Sequence, residues 1–468
     1  MLRAWLCVVV LAAVSGCAAT PSHSPAASSP AGPARTSSRP LPPMGWNSWN
    51  SGMHLDEKSV KDTIDAIVSS GLRDAGYRYV NLDAGWAAAR RSADGTLVAD
   101  PVRFPHGLAP LAAYAHSRKL LFGIYSSPFN KTCGQDPGAA SIGHEQRDAA
   151  TFAAWGVDYL KYDWCARDAD HAHQVSVFRA MRDALRATGR HIVYSINPNS
   201  SGDATAGTRY DWSGIADVVR TSGDLIPLWH GDLPRIGPTK TSHKSTNHGV
   251  PDAFYVAASA PWRQSYVNDP DMLVIGLSWQ DFFLRGLNAM RSATKPLPTS
   301  PKARAQAQYI RSLSEQQLHK LAAEQPSLTD AEQRTHLSLW AMMGAPLIAG
   351  NDVRSMSAAT AAILTNREVI AVDQDTLGGA LRPVGTDRRV WVRHLADGSV
   401  AVLLFNNSDA ATTVATTTAA LHLPTHSCYT VRDLWAHNTS TSTTGELRAP
   451  TLAPHAVRML RITPGCTS

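Results

Sequence analysis

The chain predicts an α/β protein: a (β/α)8 barrel followed by a C-terminal antiparallel β-sandwich. Three observations carry that prediction. Short apolar, β-branched or aromatic runs recur eight times between residues 44 and 352, and helical spacing fills most of the gaps. No glycine fingerprint follows the first run, as a doubly wound dinucleotide-binding sheet would require. After Gly378 the helical spacing stops and apolar and polar residues alternate, the period of an antiparallel sheet.

The predicted strands are MGWNSW (44–49), YRYVNLDAGW (77–86), LLFGIYSS (120–127), VDYLKYDWC (157–165), HIVYSINP (191–198), ADVVRTSGDL (216–225), DMLVIG (271–276) and APLIAGND (345–352). The gap at 57–75 carries Val60, Ile64, Ile67, Val68 and Leu72, spaced to share one helix face. A second helix, 145–156, ends in Trp155-Gly156, and 172–188 carries Val175, Phe178, Met181 and Leu185. The segment SLTDAEQRTHLSLWAMMG opens with a capping-box pair, Thr329 and Glu332, and stops at Gly344. Between Gly276 and Leu328 lies far more chain than a loop needs. WQDFFLRGLNAM and KARAQAQYIRSLSEQQLHKLAAE read as helices, so an insertion at 277–327 is expected. A loop after a barrel strand lies on the catalytic face, where it can shape a cleft. The barrel is thus placed at 41–377. In the sandwich, 378–468, RRVWVRHLADGSVAVLLFNNS reads as two strands turning at Asp397-Gly398.

Arg3 precedes the apolar run AWLCVVVLAAV, too short for a permanent span, and small residues follow it. Residues 1–16 are therefore expected to be a signal peptide of lipoprotein type, with Val14-Ser15-Gly16-Cys17 resembling a lipobox and Cys17 the lipidated residue. Residues 17–40 are rich in Pro, Ser and Ala and read as a tether. The expected location is the outer face of a bacterial cell membrane, or the medium if the leader is a plain secretory one. An exported chain permits disulfides. Cys133, Cys165, Cys428 and Cys466 remain once Cys7 is cleaved off and Cys17 acylated. Their placement in two regions pairs Cys133 with Cys165 and leaves Cys428 and Cys466 as the second candidate pair.

The net charge of +6 arises from 44 basic and 38 acidic residues dispersed along the chain, with no basic block to suit nucleic acid. No CxxC or HExxH spacing occurs, so neither metal nor cofactor is expected, and HAH at 171–173 reads as an exposed helical face. The only membrane contact foreseen is the lipid anchor.

In a barrel of this kind chemistry is done at the C-terminal strand ends. Those ends carry Trp46, Asp83, Trp86, Tyr125, Lys161, Asp163, Asn197, Arg220, Asp224, Asp269 and Asp271. Lys161 and Asp163 are two apart and leave the same face of their strand. A single acid at a strand end is more often a helix cap or an ion-pair partner. Acids recurring on strand after strand, with cations and Trp among them, make a polar, aromatic pocket suited to glycoside hydrolysis.

PPMGWNSWN (42–50), LKYDWC (160–165), VVRTSGDL (218–225), NDPDMLVIG (268–276), EQRTHLSLWAMMGAPLIAGNDV (332–353) and HAVRMLRITP (455–464) resemble, in order, the melibiase-type α-galactosidases of glycoside hydrolase family 27. The similarity runs from about 41 to 468, and only 226–250 and 277–327 fall clearly outside it. The resemblance implies the barrel-plus-β-domain fold and an exo-acting hydrolase of O-glycosidic bonds that works by double displacement with retention. It implies Asp163 as nucleophile and Asp224 as acid/base, their carboxyls about 5–5.5 Å apart. Lys161 would stabilise ionised Asp163 and lower its pKa, while Asp224 would need a drier or less cationic setting. Trp46 would floor the sugar site, Arg220 would bind a hydroxyl, and Asp83, Tyr125, Asn197 and Asp271 would line it. Cys133 and Cys165 match the family's disulfide.

Two positions depart from that pattern. The family's paired acids, LDDCW, read sugar O4 and O6; here Asp83 is followed by Ala84. The Glu of the usual CEW, which reads O2, is replaced by Asn197. Lost polar contacts change discrimination more than apolar ones. Alternatives to an α-galactosidase are an isomalto-dextranase-like hydrolase of α-1,6-glucan, a β-L-arabinopyranosidase, or an inactive carbohydrate-binding lipoprotein. An oligosaccharide or polysaccharide is the expected partner in each.

Overall fold

Eight short parallel strands form the centre of the protein: β1 (Met44–Asn47), β2 (Tyr79–Leu82), β3 (Leu121–Ser126), β4 (Tyr159–Asp163), β5 (Val193–Asn197), β6 (Val218–Arg220), β7 (Val267–Asp269) and β8 (Leu347–Ala349). They lie in the order β7-β6-β5-β4-β3-β2-β1-β8, with consecutive strands adjacent. A parallel bridge between Leu273 and Ala349 closes the ring, its Leu273 N–H donating to Ile348 O at 2.7 Å. This computed structural model describes residues 40–466 apart from 134–136, 167–169, 201, 233–246, 292–300 and 387, and without the side chains of 301–303. The expected leader, Cys17 and the tether up to residue 39 lie outside the described residues.

The predicted helices appear with instructive changes. The periodic stretch 57–75 divides into Glu57–Ser69, capped by Asp56, and Leu72–Ala75. Gly71, at φ +84°, makes the break, a conformation that glycine adopts without a Cβ clash. Glu145–Trp155 ends at Gly156, and Asp330–Met343 carries the foreseen Thr329/Glu332 box and stops at Gly344. The seventh strand is a correction: it is Val267–Asp269, not the 271–276 run. Asp271 sits at φ +95°, which turns the chain out of the ladder. The apolarity of Leu273, Val274 and Ile275 reflects complete burial beside β8, which periodicity alone does not distinguish from a strand.

The insertion is helical, as expected: Trp279–Arg291, Pro301–Ser312 and Glu315–Ala322. The second and third were foreseen as one helix; Ser314, capping the last, divides them. Trp279, Phe283, Leu287, Ile310 and Leu318 build a small core with Ile226 and Leu228 from the segment after β6. Arg285 also donates to Asn50 O, beyond β1, at 2.7 Å. The insertion therefore braces two loops on the face where β1 and β6 end.

The C-terminal region contains β9 (Arg382–Pro383), β10 (Val390–His394), β11 (Val400–Phe405), β12 (Ala415–Thr417), β13 (Tyr429–Asp433), β14 (Asn438–Ser442), β15 (Glu446–Arg448) and β16 (Val457–Pro464). One six-stranded antiparallel sheet faces the two-stranded β12/β15 pair. In β11, Val400, Val402 and Leu404 pack toward that pair, while Ala401, Leu403 and Phe405 join the barrel core. A strand buried on both faces explains why its sequence is apolar at six consecutive positions. The hairpin turn at Asp397-Gly398 is as predicted.

Candidate active site

Strand register assembles the site. Lys161 on β4 pairs with Tyr125 on β3 and Ser195 on β5; Asp163 pairs with Asn197, and Arg220 on β6 with Asp269 on β7. Because alternate residues point the same way, Lys161 and Asp163 both enter the pocket while Tyr162 between them packs against Phe178 and Tyr194.

Lys161 Nζ lies 2.8 Å from Asp83 Oδ2 and 3.4 Å from Asp163 Oδ2. Its ammonium also stands 5.0 Å from the Tyr125 ring centroid, within cation–π range. Burial opposes the charged lysine, but Asp163, Asp83 and Tyr125 together hold its pKa well above the ordinary value. Asp163 behaves differently from expectation. Lys161 does pull its pKa down, yet burial outweighs that pull and, helped by Asp83 and Asp224, pushes the carboxyl up to about 6. Asp83 accepts from Asn47 Nδ2 at 3.0 Å and from the Ala84 N–H at 2.8 Å as well as from Lys161. A carboxylate offers about four acceptor positions, so one remains for a sugar hydroxyl.

A second cluster centres on buried Arg220, whose Nη2 lies 2.5 Å from Asp271 Oδ2 and 3.0 Å from Asp224 Oδ1. Asp271 Oδ2 also accepts the Leu225 N–H, and Oδ1 the Met272 N–H. Burial, with Asp224 and Asp269 nearby, raises the Asp271 carboxyl against the pull of Arg220. Asp224 itself does not have the drier setting expected: its side chain is 78% exposed and bonded to Arg220. It stands at the rim because the chain leaves the barrel directly after β6.

Trp46 differs from its expected role. It is 1% exposed, its indole N–H donating to Asn351 O at 2.8 Å. Asn47, the next residue, lines the pocket, so alternation turns the Trp46 ring into the core between barrel and helices. Tyr125 is buried beside Lys161 and Trp86 donates to its carbonyl at 2.9 Å; neither is among the residues that line the pocket. Asn197 does line the pocket, as do Asp269 and Asp271. Asn47 and Asn81, which are not among the strand-end candidates, also line it. Their signal was parity: Asn81 precedes Asp83 by two and pairs with Asn47 across β1 and β2.

Among the described residues, three buried polar atoms at the pocket have no hydrogen-bond partner: Asp163 Oδ1, Asn81 Oδ1 and Arg220 Nε. Unpaired buried groups are costly, and two acceptors beside a donor suit a polyhydroxylated ligand. The Cys133–Cys165 disulfide, with Cα atoms 4.9 Å apart, ties the loop after β3 to a position two residues beyond Asp163. Cys428 and Cys466 are bonded as well.

Comparison with known proteins decides the family. The sequence pattern described as Alpha galactosidase A, of melibiase type, matches residues 41–292 and 319–375, and the Alpha galactosidase C-terminal beta sandwich domain matches 385–462. The chain belongs to the melibiase-type α-galactosidase family. Its fold and enzyme class are those of this family's glycoside hydrolases. The α-galactosidase of Cyamopsis tetragonoloba is 35% identical over 427 residues, 90% of this chain and 86% of that protein. Among solved structures, α-galactosidase I of Mortierella vinacea superposes with a TM-score of 0.70 at 30% identity, covering 92% of this chain and 98% of the other. The Saccharomyces cerevisiae α-galactosidase solved with raffinose gives a TM-score of 0.71 at 25% identity, over 91% and 98%. The melibiase pattern leaves out 293–318, between its two matched segments.

Proposed function

We propose that this α-galactosidase-type hydrolase removes terminal α-galactosyl residues from oligosaccharides by double displacement with net retention. Asp163 attacks the anomeric carbon, Asp224 protonates the leaving oxygen and then activates water, and Lys161 keeps Asp163 ionised. The observation that carries this reading is the state of Asp163, which lines the pocket: Oδ2 is held by Lys161 while buried Oδ1 has no partner among the described residues. Arg220 Nε, Asn81 and the spare acceptor of Asp83 supply sugar-hydroxyl contacts. The exposed rim position of Asp224 lets its carboxyl reach a leaving group that projects from the mouth.

Ala84 keeps one rival in view. With Asp83 as the single acid after β2, the site carries less charge toward the sugar edge read there, which favours an isomalto-dextranase-like action on α-1,6-glucan. Assay of the purified protein on nitrophenyl α-galactoside, α-glucoside, β-L-arabinopyranoside and dextran, with Asp163→Ala as blank, separates them. Galactoside turnover that vanishes in the variant, with the α-anomer released first by proton NMR, is the expected result. Isomaltose from dextran with galactoside untouched would transfer the assignment to the glucan.

The proposal extends to location. The apolar leader and Cys17 motif suit export and acylation, and two disulfides fit an oxidising compartment. Membrane-bound protein that becomes soluble on Cys17→Ala is the expected outcome; unchanged fractionation would refute the anchor.

A further inference from the structure

Away from the pocket, two imidazoles and a carboxylate converge where three segments of chain meet. His230 lies six residues beyond Asp224 on the segment after β6, Asp409 follows β11, and His455 precedes β16. One ligand atom from each falls within 4.8 Å of the others. Asp409 Oδ1 is 3.0 Å from His455 Nε2 and 3.8 Å from His230 Nε2. Tetrahedral zinc with bonds of about 2.0–2.1 Å places neighbouring ligand atoms roughly 3.3 Å apart, between those two separations. We propose that His230, Asp409 and His455 bind a divalent transition-metal ion, zinc being the best fit, with water in the fourth position.

The surroundings of His455 supply an independent reason. Its Nδ1 lies 2.6 Å from Glu332 Oε1 on the helix Asp330–Met343, while Nε2 faces the Asp409 carboxylate. Glu332 is itself fixed, because Oε2 accepts from the Thr329 N–H at 2.7 Å and from its hydroxyl at 2.9 Å. A neutral imidazole carries one N–H. If Nδ1–H donates to Glu332, the Nε2 lone pair confronts a carboxylate oxygen unless a cation lies between them. That cation is either a second proton on the ring or a metal ion. A carboxylate that orients the far nitrogen of a ligating histidine is the usual support of a metal site.

The ring is also held in advance. Trp229 stacks on His455 with centroids 4.4 Å apart and planes 15° from parallel. His455 has φ +61°, a conformation non-glycine residues seldom adopt, and its carbonyl accepts from Thr335 Oγ1 at 2.7 Å. Two imidazoles with one carboxylate select zinc-like ions over calcium or magnesium, which take oxygen ligands. Such an ion would fasten the segment carrying Asp224 to the C-terminal domain, with the helix bearing Glu332 behind it. The role is structural, since no ligand belongs to the pocket.

The test uses tag-free protein stripped with EDTA and titrated calorimetrically with zinc chloride. One equivalent should bind and the unfolding temperature should rise; cobalt substituted for zinc should give the intense visible bands of a tetrahedral site. His230→Ala and Asp409→Ala remove exposed side chains, so each should fold as the parent does yet lose the equivalent and the thermal response. Absence of stoichiometric zinc, or an equivalent that survives in both variants, would overturn the assignment. Stability that follows pH but not metal would also overturn it and leave His455 as an imidazolium bridging two carboxylates.

Discussion

Lys161 Nζ is closer to Asp83 Oδ2, at 2.8 Å, than to Asp163 Oδ2, at 3.4 Å. The lysine thus neutralises a buried acid after β2 and the proposed nucleophile together. Burial, with Asp83 and Asp224 adding to it, drives Asp163 upward, and Lys161 is the largest force restraining it near 6. Lys161→Met should therefore cost on the order of a hundredfold or more in kcat/KM. It should also move the acid limb of the kcat/KM profile upward, because the base form of free-enzyme Asp163 would appear only at higher pH. A variant slowed without movement of that limb would show that Lys161 does not tune Asp163.

Asp224 should be separable from Asp163 by leaving group. A dinitrophenyl leaving group departs without protonation, whereas a sugar alcohol needs the proton. Asp224→Asn should thus keep much of its rate on the activated galactoside and lose several orders of magnitude on a raffinose-type oligosaccharide. Asp163→Asn should lose both. Equal losses in Asp224→Asn on the two substrates would remove Asp224 from the acid role.

The strand ends were legible because a barrel forces one periodicity on every strand. Lys161, Asp163, Asn197 and Arg220 enter the pocket by that rule. Trp46 shows its limit: motif resemblance assigned it to the sugar, while parity with Asn47 turns it into the core. The true β7 was missed because Val267–Asp269 offers only one buried apolar residue, and the run after the Asp271 turn looks more like a strand than the strand does. The direction of the Asp163 shift was beyond sequence as well, since Lys161 is visible as a neighbour but depth of burial is not. The His230–Asp409–His455 cluster has no local spacing at all; 225 residues of chain separate its two histidines.

His336 links pH to stability at the wall of the barrel. It is fully buried, accepts the Val274 N–H at Nε2 and packs edge-on to Trp340, whose indole N–H holds the Asp271 carbonyl. Burial lowers its pKa from 6.5 to about 3. Between those values the unfolded chain binds a proton that the folded protein refuses, so the stabilisation present above 6.5 is lost as pH falls. The slope is roughly 1.4 kcal/mol per pH unit. His336→Gln keeps an acceptor for Val274 but cannot titrate. Whatever it costs at pH 7, its deficit against the parent should narrow by roughly 2 kcal/mol between pH 6.5 and 5, read from chemical unfolding at each pH. A pH-independent deficit would mean that His336 takes its proton in the folded state.

The Cys133–Cys165 bond spans 32 residues and ends two positions after Asp163, so its removal should affect stability and turnover together. Closing a loop of that length restricts the unfolded chain by about 3–4 kcal/mol. The paired variant Cys133→Ser/Cys165→Ser should lose stability of that order. In the fold that remains, Asp163 would have lost its tether to the loop after β3, and kcat should fall below the wild-type value at a temperature where both proteins are fully folded. The Cys428–Cys466 bond closes 38 residues in the β-domain, away from the pocket, and provides the control. Its removal should cost similar stability with kcat unchanged. Equal effects of the two deletions on kcat would show that the first bond stabilises the fold without positioning the nucleophile.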